Sequence, residues 1–117
     1  MKFANLTRET ILAETMEVAG TWASRLRGLL FKKSLPTSHG LILQPCNSVH
    51  TCFMQFNIDV LFVDHAGKVV YLIKNMSSFR FSPMVKKAEF VVELPAGTIE
   101  LTGTSLNDRV GTVAEII

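Results

Sequence analysis

The side chains best suited to chemistry in this 117-residue chain lie in one block, residues 45–64 (PCNSVHTCFMQFNIDVLFVD). Polar groups in so apolar a stretch must be hydrogen-bonded or face solvent, because burying an unpaired polar group is costly. No Lys, Arg, Asp or Glu lies between Pro45 and Ile58. His50 is therefore the side chain in that interval expected to titrate near neutral pH.

His50 has two neighbours that could complete a catalytic pair. Cys52 follows two residues later, which on a strand puts both side chains on one face, about 6 to 7 Å apart. An imidazolium there could stabilise a thiolate nucleophile, although a free Cys is more often a small buried hydrophobic residue. Asp59 could instead meet His50 across a turn and fix its tautomer. A hydrolase or transferase using His50 with Asp59 or Cys52 is thus an alternative function, but no catalytic set is complete and no residue is assigned as catalytic.

The leading prediction is a binding or accessory domain with a shallow pocket in this block. Its predicted ligand-binding residues are His50, Thr51, Phe53, Met54 and Asp59. The competing interpretation is structural, with the polar members satisfying backbone groups at a chain reversal near residue 57. The occupant would be a small molecule or a protein segment.

The block does not predict a metal site. Cys46, His50 and Cys52 match neither the C-x2-C nor the H-x3-H spacing of zinc ligands. With three His in the whole chain, a closed four-ligand site is not expected. Neither a metal nor another cofactor is predicted.

Short apolar runs separated by turn residues predict the strands that would position this block. The fold class expected is α+β and mainly β, a small rolled or barrel-like sheet of about seven to nine short strands. The clearest feature is a hairpin of residues 59–64 and 69–73 around Gly67. The other strands are predicted at residues 10–18, 40–43, 90–94 and 108–116, with a surface connection at residues 75–87.

One amphipathic helix is predicted near residues 21–33. Trp22, Leu26 and Leu29 recur at i, i+4 and i+7, which is the helical period. A buried pair between Arg25 of this helix and Glu93 of a strand would lock helix to sheet. The residues predicted to support the site are Arg25, Gly28, Asp64 and Glu93.

Composition limits the class of protein. The length predicts one domain over residues 1–117, and 48% hydrophobic with 19% charged residues excludes disorder. No apolar run approaches the ~20 residues of a transmembrane helix, and the N-terminus lacks the apolar core of a signal peptide, so a cytoplasmic location is expected. A net charge of +2 argues against nucleic acid as the partner.

The positive charges are unevenly distributed, which leaves a third function open. Five cations and no acid occur in residues 65–88, from Lys68 to Lys87. The simpler explanation is that these cations lie on solvent-exposed faces of strands and helices. A basic interaction surface for an anionic partner is the alternative.

Several blocks of the chain resemble the DUF192 family of small bacterial and archaeal proteins. They are residues 25–29 (RLRGL), 46–54 (CNSVHTCFM), 58–64 (IDVLFVD), 67–70 (GKVV) and 92–97 (VELPAG), in the family's order. Gln55 occupies a position where the family usually has Arg or Lys, and Asn57 occupies one where it usually has Pro. The resemblance implies a mainly-β α+β domain and an association with pilus or secretion machinery, but no reaction.

Overall fold

The computed structural model describes residues 1–20 and 34–114. This part contains eight strands and one short helix, which confirms the predicted mainly-β class and strand number. In chain order they are β1 (Lys2–Asn5), β2 (Thr10–Ala13), β3 (Thr15–Ala19), β4 (His39–Leu43), β5 (Ile58–Val63), β6 (Val69–Met76), β7 (Phe90–Pro95), α1 (Thr98–Thr102) and β8 (Val110–Val113).

The eight strands form two sheets. One has three strands in the order β2-β1-β8, and the other has five in the order β3-β4-β7-β5-β6. All pairs are antiparallel except β3 and β4, which run parallel with Thr15 opposite His39. In the described part of the chain the strands therefore build two packed sheets and not the single rolled or barrel-like sheet expected.

The single strand predicted over residues 10–18 is divided between the sheets. β2 joins the three-stranded sheet and β3 joins the five-stranded one, with Glu14 between them. The imperfect alternation of this segment reflects the break, because β2 pairs with β1 whereas β3 pairs with β4. β1 and α1 were not predicted from the sequence.

The predicted hairpin is confirmed as β5 and β6. Its turn is held by Asp64, whose Oδ1 accepts hydrogen bonds from the backbone N–H groups of Ala66 at 2.9 Å and Lys68 at 2.8 Å. The Lys68 N–H in particular holds the pKa of Asp64 below its usual value. Asp64 therefore shapes the turn in the way that Asp commonly does, by bonding to backbone two and four residues on.

The five-stranded sheet is buried on both faces. Along β7, Val92 and Leu94 contact the core shared with the three-stranded sheet, whereas Val91 contacts a second core on the opposite face. This arrangement explains why the β5 sequence is a continuous apolar run apart from Asp59, as is typical of a strand covered on both sides. The second core consists of Ala19, Leu41, Leu43, Met54, Ile58, Val60, Phe62, Met76 and Val91.

A polar network centred on the buried Asp108 lies beside the three-stranded sheet. Asp108 Oδ2 accepts hydrogen bonds from Asn5 Nδ2 at 2.9 Å, Arg8 Nε at 2.7 Å and the Ser105 N–H at 2.9 Å. Burial by itself would raise the pKa of Asp108, but these three donors together lower it below its usual value. The network joins β1 to the loop before β8.

Several predictions fall on residues that the structure does not describe. The helix near residues 21–33, Arg25 and Gly28 lie outside the described residues, as does the Arg25–Glu93 pair. In the described ranges, no helix has the length and apolarity needed to span a membrane.

Candidate functional site

Two loop segments pair with each other over the second core. The backbone N–H of Thr51 donates to the Arg80 carbonyl at 2.9 Å, and that of Ser82 donates to the Val49 carbonyl at 2.9 Å. Farther along, the Val85 N–H donates to the Asn47 carbonyl at 2.9 Å. Residues 47–54 and 77–85 therefore form an antiparallel arrangement beyond the regular strands.

Thr51 is the anchor of this arrangement. Its side chain is fully buried, and its hydroxyl donates to the Ser77 carbonyl while accepting the Arg80 N–H at 3.0 Å. The carbonyl of Thr51 accepts the N–H groups of Met54 and Phe79, each at 3.1 Å. Only a residue with a short hydroxyl side chain can make both side-chain bonds from this position. Thr51 thus fixes both loops from beneath.

Large apolar side chains project from the outside of the paired loops. Phe53 is 74% exposed, Phe79 61%, Phe81 75% and Met84 68%. We call these four residues together with His50 the aromatic surface. The rings of Phe53 and Phe79 meet edge to face with centroids 5.4 Å apart, and those of His50 and Phe81 lie 5.9 Å apart. Clusters of this kind mark interaction sites more often than single exposed apolar residues do.

Both members of the Phe53–Phe79 pair have left-handed backbone conformations. Their φ angles are 66° and 58°, a region that bulky residues rarely adopt. Such strain persists only where the surrounding structure fixes it, and it is concentrated at functional sites. Here the hydrogen bonds around Thr51 supply that constraint.

His50 is exposed and lies opposite Phe81 in an isolated β-bridge. Its Nδ1 accepts the backbone N–H of Cys52 at 3.3 Å, so the two residues are joined through the backbone and not through the thiol. The chain turns at Cys52 and Phe53, so the extended geometry assumed for a Cys–His dyad is not the one observed.

Asp59 lies on β5 and is buried, with both carboxylate oxygens engaged by backbone. Oδ1 accepts the Asn75 N–H at 2.8 Å, and Oδ2 accepts those of Gly97 at 3.1 Å and Ile99 at 2.8 Å. Asp59 therefore joins β6 and the start of α1 to β5. Within the described residues it makes no hydrogen bond to His50, so the structure does not bring this predicted pair together.

The five predicted ligand-binding residues separate into two groups. His50 and Phe53 are exposed, whereas Thr51, Met54 and Asp59 are buried and bond or pack inside the molecule. His50 and Phe53 belong to an outer surface, and Thr51 and Met54 lie beneath it. The turn at Cys52 and Phe53 leaves His50 and Phe53 exposed and Thr51 and Met54 buried.

Two cavities of the described region are lined by residues outside the aromatic surface. One of about 330 Å³ is lined by Asp59, Lys74, Asn75, Ala96, Gly97 and Glu100. The other, of about 310 Å³, is lined by Pro45, Cys46, Asn47, Ser48, Ala88 and Glu89. Neither contains His50 or an exposed Phe. The aromatic surface projects from the protein and does not line either of these cavities.

Positive charge accompanies the aromatic surface. Arg80 is exposed between Phe79 and Phe81, and Lys86 and Lys87 are exposed just after Met84. The ion pairs of the described residues, Lys2–Glu14 and Arg8–Asp108, involve none of these cations. Residues 65–88, which contain cations and no acid, therefore include Phe79, Phe81 and Met84 of the aromatic surface.

Glu93 lies on β7 on the face of the second core and is buried. Burial raises its pKa to about 7, because the charged form loses its hydration. Across residues 1–20 and 34–114, no group of three or more His, Cys, Asp or Glu side chains could hold a metal ion. Cys46 and Cys52 are both free thiols.

Sequence reasoning missed three members of the aromatic surface, Phe79, Phe81 and Met84. They belong to residues 75–87, which were predicted only as a surface connection because no hydrophobic period is present. The available signal was three Phe or Met side chains within six residues, 79–84, that also include Arg80 and are followed by Lys86 and Lys87. Their pairing with the His50 segment depends on contacts about 30 residues apart along the chain.

The family comparison agrees with the resemblance found in the sequence. The model of the DUF192 family, described as "Uncharacterized ACR", matches residues 4–112. A UPF0127 protein of Pyrococcus furiosus is 30% identical over 110 residues, covering 90% of this chain and 92% of its own length. A UPF0127 protein of Thermococcus sibiricus is 28% identical over 110 residues, covering 91% and 71%.

A solved structure supports the fold independently. A protein of unknown function from Novosphingobium aromaticivorans superimposes with a TM-score of 0.80 at 20% sequence identity. The match covers 95% of this chain and 82% of that one. At this identity, the likeness concerns the arrangement of the strands.

Proposed function

Because the chain belongs to the DUF192 family, whose description names no reaction, we propose from its own geometry that it is a non-enzymatic binding domain. The aromatic surface is its recognition site. The observation that carries the proposal is the Phe53–Phe79 pair, in which two bulky residues hold strained backbone conformations and yet leave their rings in solvent. The pair adds no buried apolar area to the folded protein that would offset its backbone strain. Burial of the two rings against a bound partner would offset it.

The hydrogen bonds favour binding over catalysis. Both oxygens of Asp59 are occupied by backbone donors, and His50 accepts a backbone N–H of its own turn. An active base or nucleophile needs its partner within hydrogen-bond reach. The enzyme alternative using His50 with Asp59 or Cys52 has no such support among the described residues, and the association with pilus or secretion machinery stays a prediction.

A cytoplasmic location is part of the proposal. Cys46 and Cys52 are free thiols, and reducing compartments keep cysteines in this state. This location also determines which partners the aromatic surface would encounter.

A thermal-shift screen tests the binding proposal. The wild type is compared with Phe53→Asn/Phe79→Asn, which removes both rings while keeping a residue type that tolerates positive φ. The panel contains metabolites, metal ions, oligosaccharides, peptides, oligonucleotides and short-chain phospholipids. A ligand that stabilises the native state raises the midpoint. We expect at least one compound class to raise it in the wild type and not in the double variant, with His50→Ala weakening the same shift.

The Thr51 variants separate binding from folding. Thr51→Val leaves the Arg80 N–H without its acceptor and should lower the free energy of unfolding by about 1 to 3 kcal/mol. Thr51→Ser keeps the hydroxyl and should retain ligand shifts. Midpoint shifts that are equal in the wild type and the Phe53→Asn/Phe79→Asn variant, or absent for every compound class, would overturn the proposal.

A further inference from the structure

We infer that the aromatic surface docks the protein onto an anionic lipid bilayer. This inference rests on the proposed function and names its partner. The surface combines exposed hydrocarbon side chains with nearby cations, which are the two features that hold a protein at a membrane interface without spanning it.

The apolar part of the surface is suited to hydrocarbon. Phe53, Phe79, Phe81 and Met84 are each more than 60% exposed, and their side chains carry no hydrogen-bond donor and no strong acceptor. They project from loops, and neither of the two described cavities contains them. Projecting Phe side chains can enter the boundary between headgroups and acyl chains.

The charge of the surface matches anionic headgroups. Arg80 lies between two of the exposed Phe residues, and Lys86 and Lys87 follow Met84. Residues 65–88 contain no acid, and the exposed Glu89 follows two residues after Lys87. The cytoplasmic leaflet carries the anionic lipids of a cell membrane, which agrees with the location proposed above.

The loops are already fixed in the docking geometry. The hydrogen bonds of Thr51 to the Ser77, Phe79 and Arg80 backbone set the positions of both Phe53 and Phe79. A second bond, from the Ser78 hydroxyl to the Met54 carbonyl at 2.6 Å, joins the same two segments. Because these loops need no ordering on contact, little conformational entropy is lost when they enter an interface.

A single-stranded nucleic acid is the main competing partner, because it also binds aromatic and cationic side chains together. The net charge of +2 for the whole chain argues against it. Nucleic-acid binders usually carry a larger excess of positive charge over the domain. We therefore make oligonucleotide binding an outcome of the test.

The test is co-sedimentation of the full chain with 100-nm vesicles of phosphatidylcholine alone or mixed equally with phosphatidylglycerol. We expect binding to the anionic vesicles, weakening as salt is raised from about 50 to 300 mM because the headgroup charge is screened. Phe53→Asn/Phe79→Asn should lower the partition coefficient by about tenfold or more, since it removes two inserted rings. Arg80→Gln and Lys86→Gln should each lower it by about fivefold.

Matched controls come from the same chain. Leu101→Asn/Leu106→Asn removes two other exposed apolar side chains, which are 89% and 53% exposed. Lys74→Gln removes a cation that lines the cavity containing Asp59. Both controls should bind anionic vesicles like the wild type. Far-ultraviolet circular dichroism and the thermal midpoint establish that each variant is folded.

The outcomes separate this inference from the proposed function. Absence of vesicle binding by the wild type, or equal losses in the aromatic-surface and control variants, overturns membrane docking. If a fluorescent 20-nucleotide oligothymidylate binds instead and the Phe53→Asn/Phe79→Asn variant loses it, membrane docking fails and the binding function stands. Vesicle binding lost only in the aromatic-surface variants supports both.

Discussion

At the scale of single residues, burial and exposure are reversed relative to simple expectation. Asp59, an acidic residue, is buried near the start of β5, while Phe53 and Phe81 are about three-quarters exposed. A carboxylate tolerates burial when backbone N–H groups replace its hydration, and Asp59 has three of them. The exposed Phe residues have no corresponding explanation inside the fold, which is why they carry the proposed function.

Replacing Asp59 tests its structural role. An amide at this position presents N–H₂ to at least one of three backbone donors, so Asp59→Asn should lower the free energy of unfolding by about 3 kcal/mol. Urea denaturation measures the change. Glu100→Gln, on the exposed side of α1, should change stability by less than about 0.5 kcal/mol. An unchanged free energy of unfolding in Asp59→Asn would contradict this structural role. It would favour the alternative in which Asp59 acts with His50 in catalysis.

At the scale of elements, turns decide which side chains reach the surface. The β5–β6 hairpin was predicted correctly because its two apolar runs surround a glycine turn, which is a local signal. The paired loops at residues 47–54 and 77–85 lack any such signal. Their arrangement follows from hydrogen bonds between segments distant in sequence, centred on Thr51.

Substitutions at two glycines with positive φ distinguish the cost of backbone strain from the cost of a steric clash. Gly67 has φ 83°, and an added Cβ would lie 2.9 Å from the Val110 carbonyl oxygen, whereas Gly97 has φ 97° and open space around it. Gly97→Ala should cost about 1 kcal/mol of folding free energy from conformation alone. Gly67→Ala should cost about 2 to 4 kcal/mol, because backbone must also move. Equal losses in chemical denaturation would argue against the contact between the hairpin turn and β8.

At the scale of the whole molecule, the five-stranded sheet separates two cores. The three-stranded sheet covers one face, and the paired loops help to cover the other. Met54 packs into the second core while the adjacent Phe53 is exposed, so one short segment contributes both to stability and to the proposed site. Glu93 is an acidic residue buried on the face of the second core.

The raised pKa of Glu93 predicts a pH dependence of stability. The group remains protonated in the folded protein up to about pH 7, but ionises at its ordinary pKa near 4.5 when the chain unfolds. Its contribution to stability is therefore present below about pH 4.5 and lost as pH rises through 7. Glu93→Gln removes this dependence, so the variant should gain stability relative to the wild type between pH 5 and 8.

Urea denaturation of the wild type and Glu93→Gln at pH 5 and pH 8 measures the difference in their free energies of unfolding. The exposed Glu100→Gln is the control. The opposite result, a Gln variant that loses stability relative to the wild type as pH rises, would indicate that a cation stabilises the charged form. That outcome would support the Arg25–Glu93 pair predicted from the sequence.

The sequence by itself determined the family, the mainly-β class and the hairpin around Gly67. These features depend on local composition, alternation and motif order, which a linear chain contains in full. Only the tertiary structure decided that Asp59 bonds to backbone and that Phe53 shares a surface with Phe79. The physical reason is that a side chain's partners depend on contacts between distant segments, whose register no local pattern specifies.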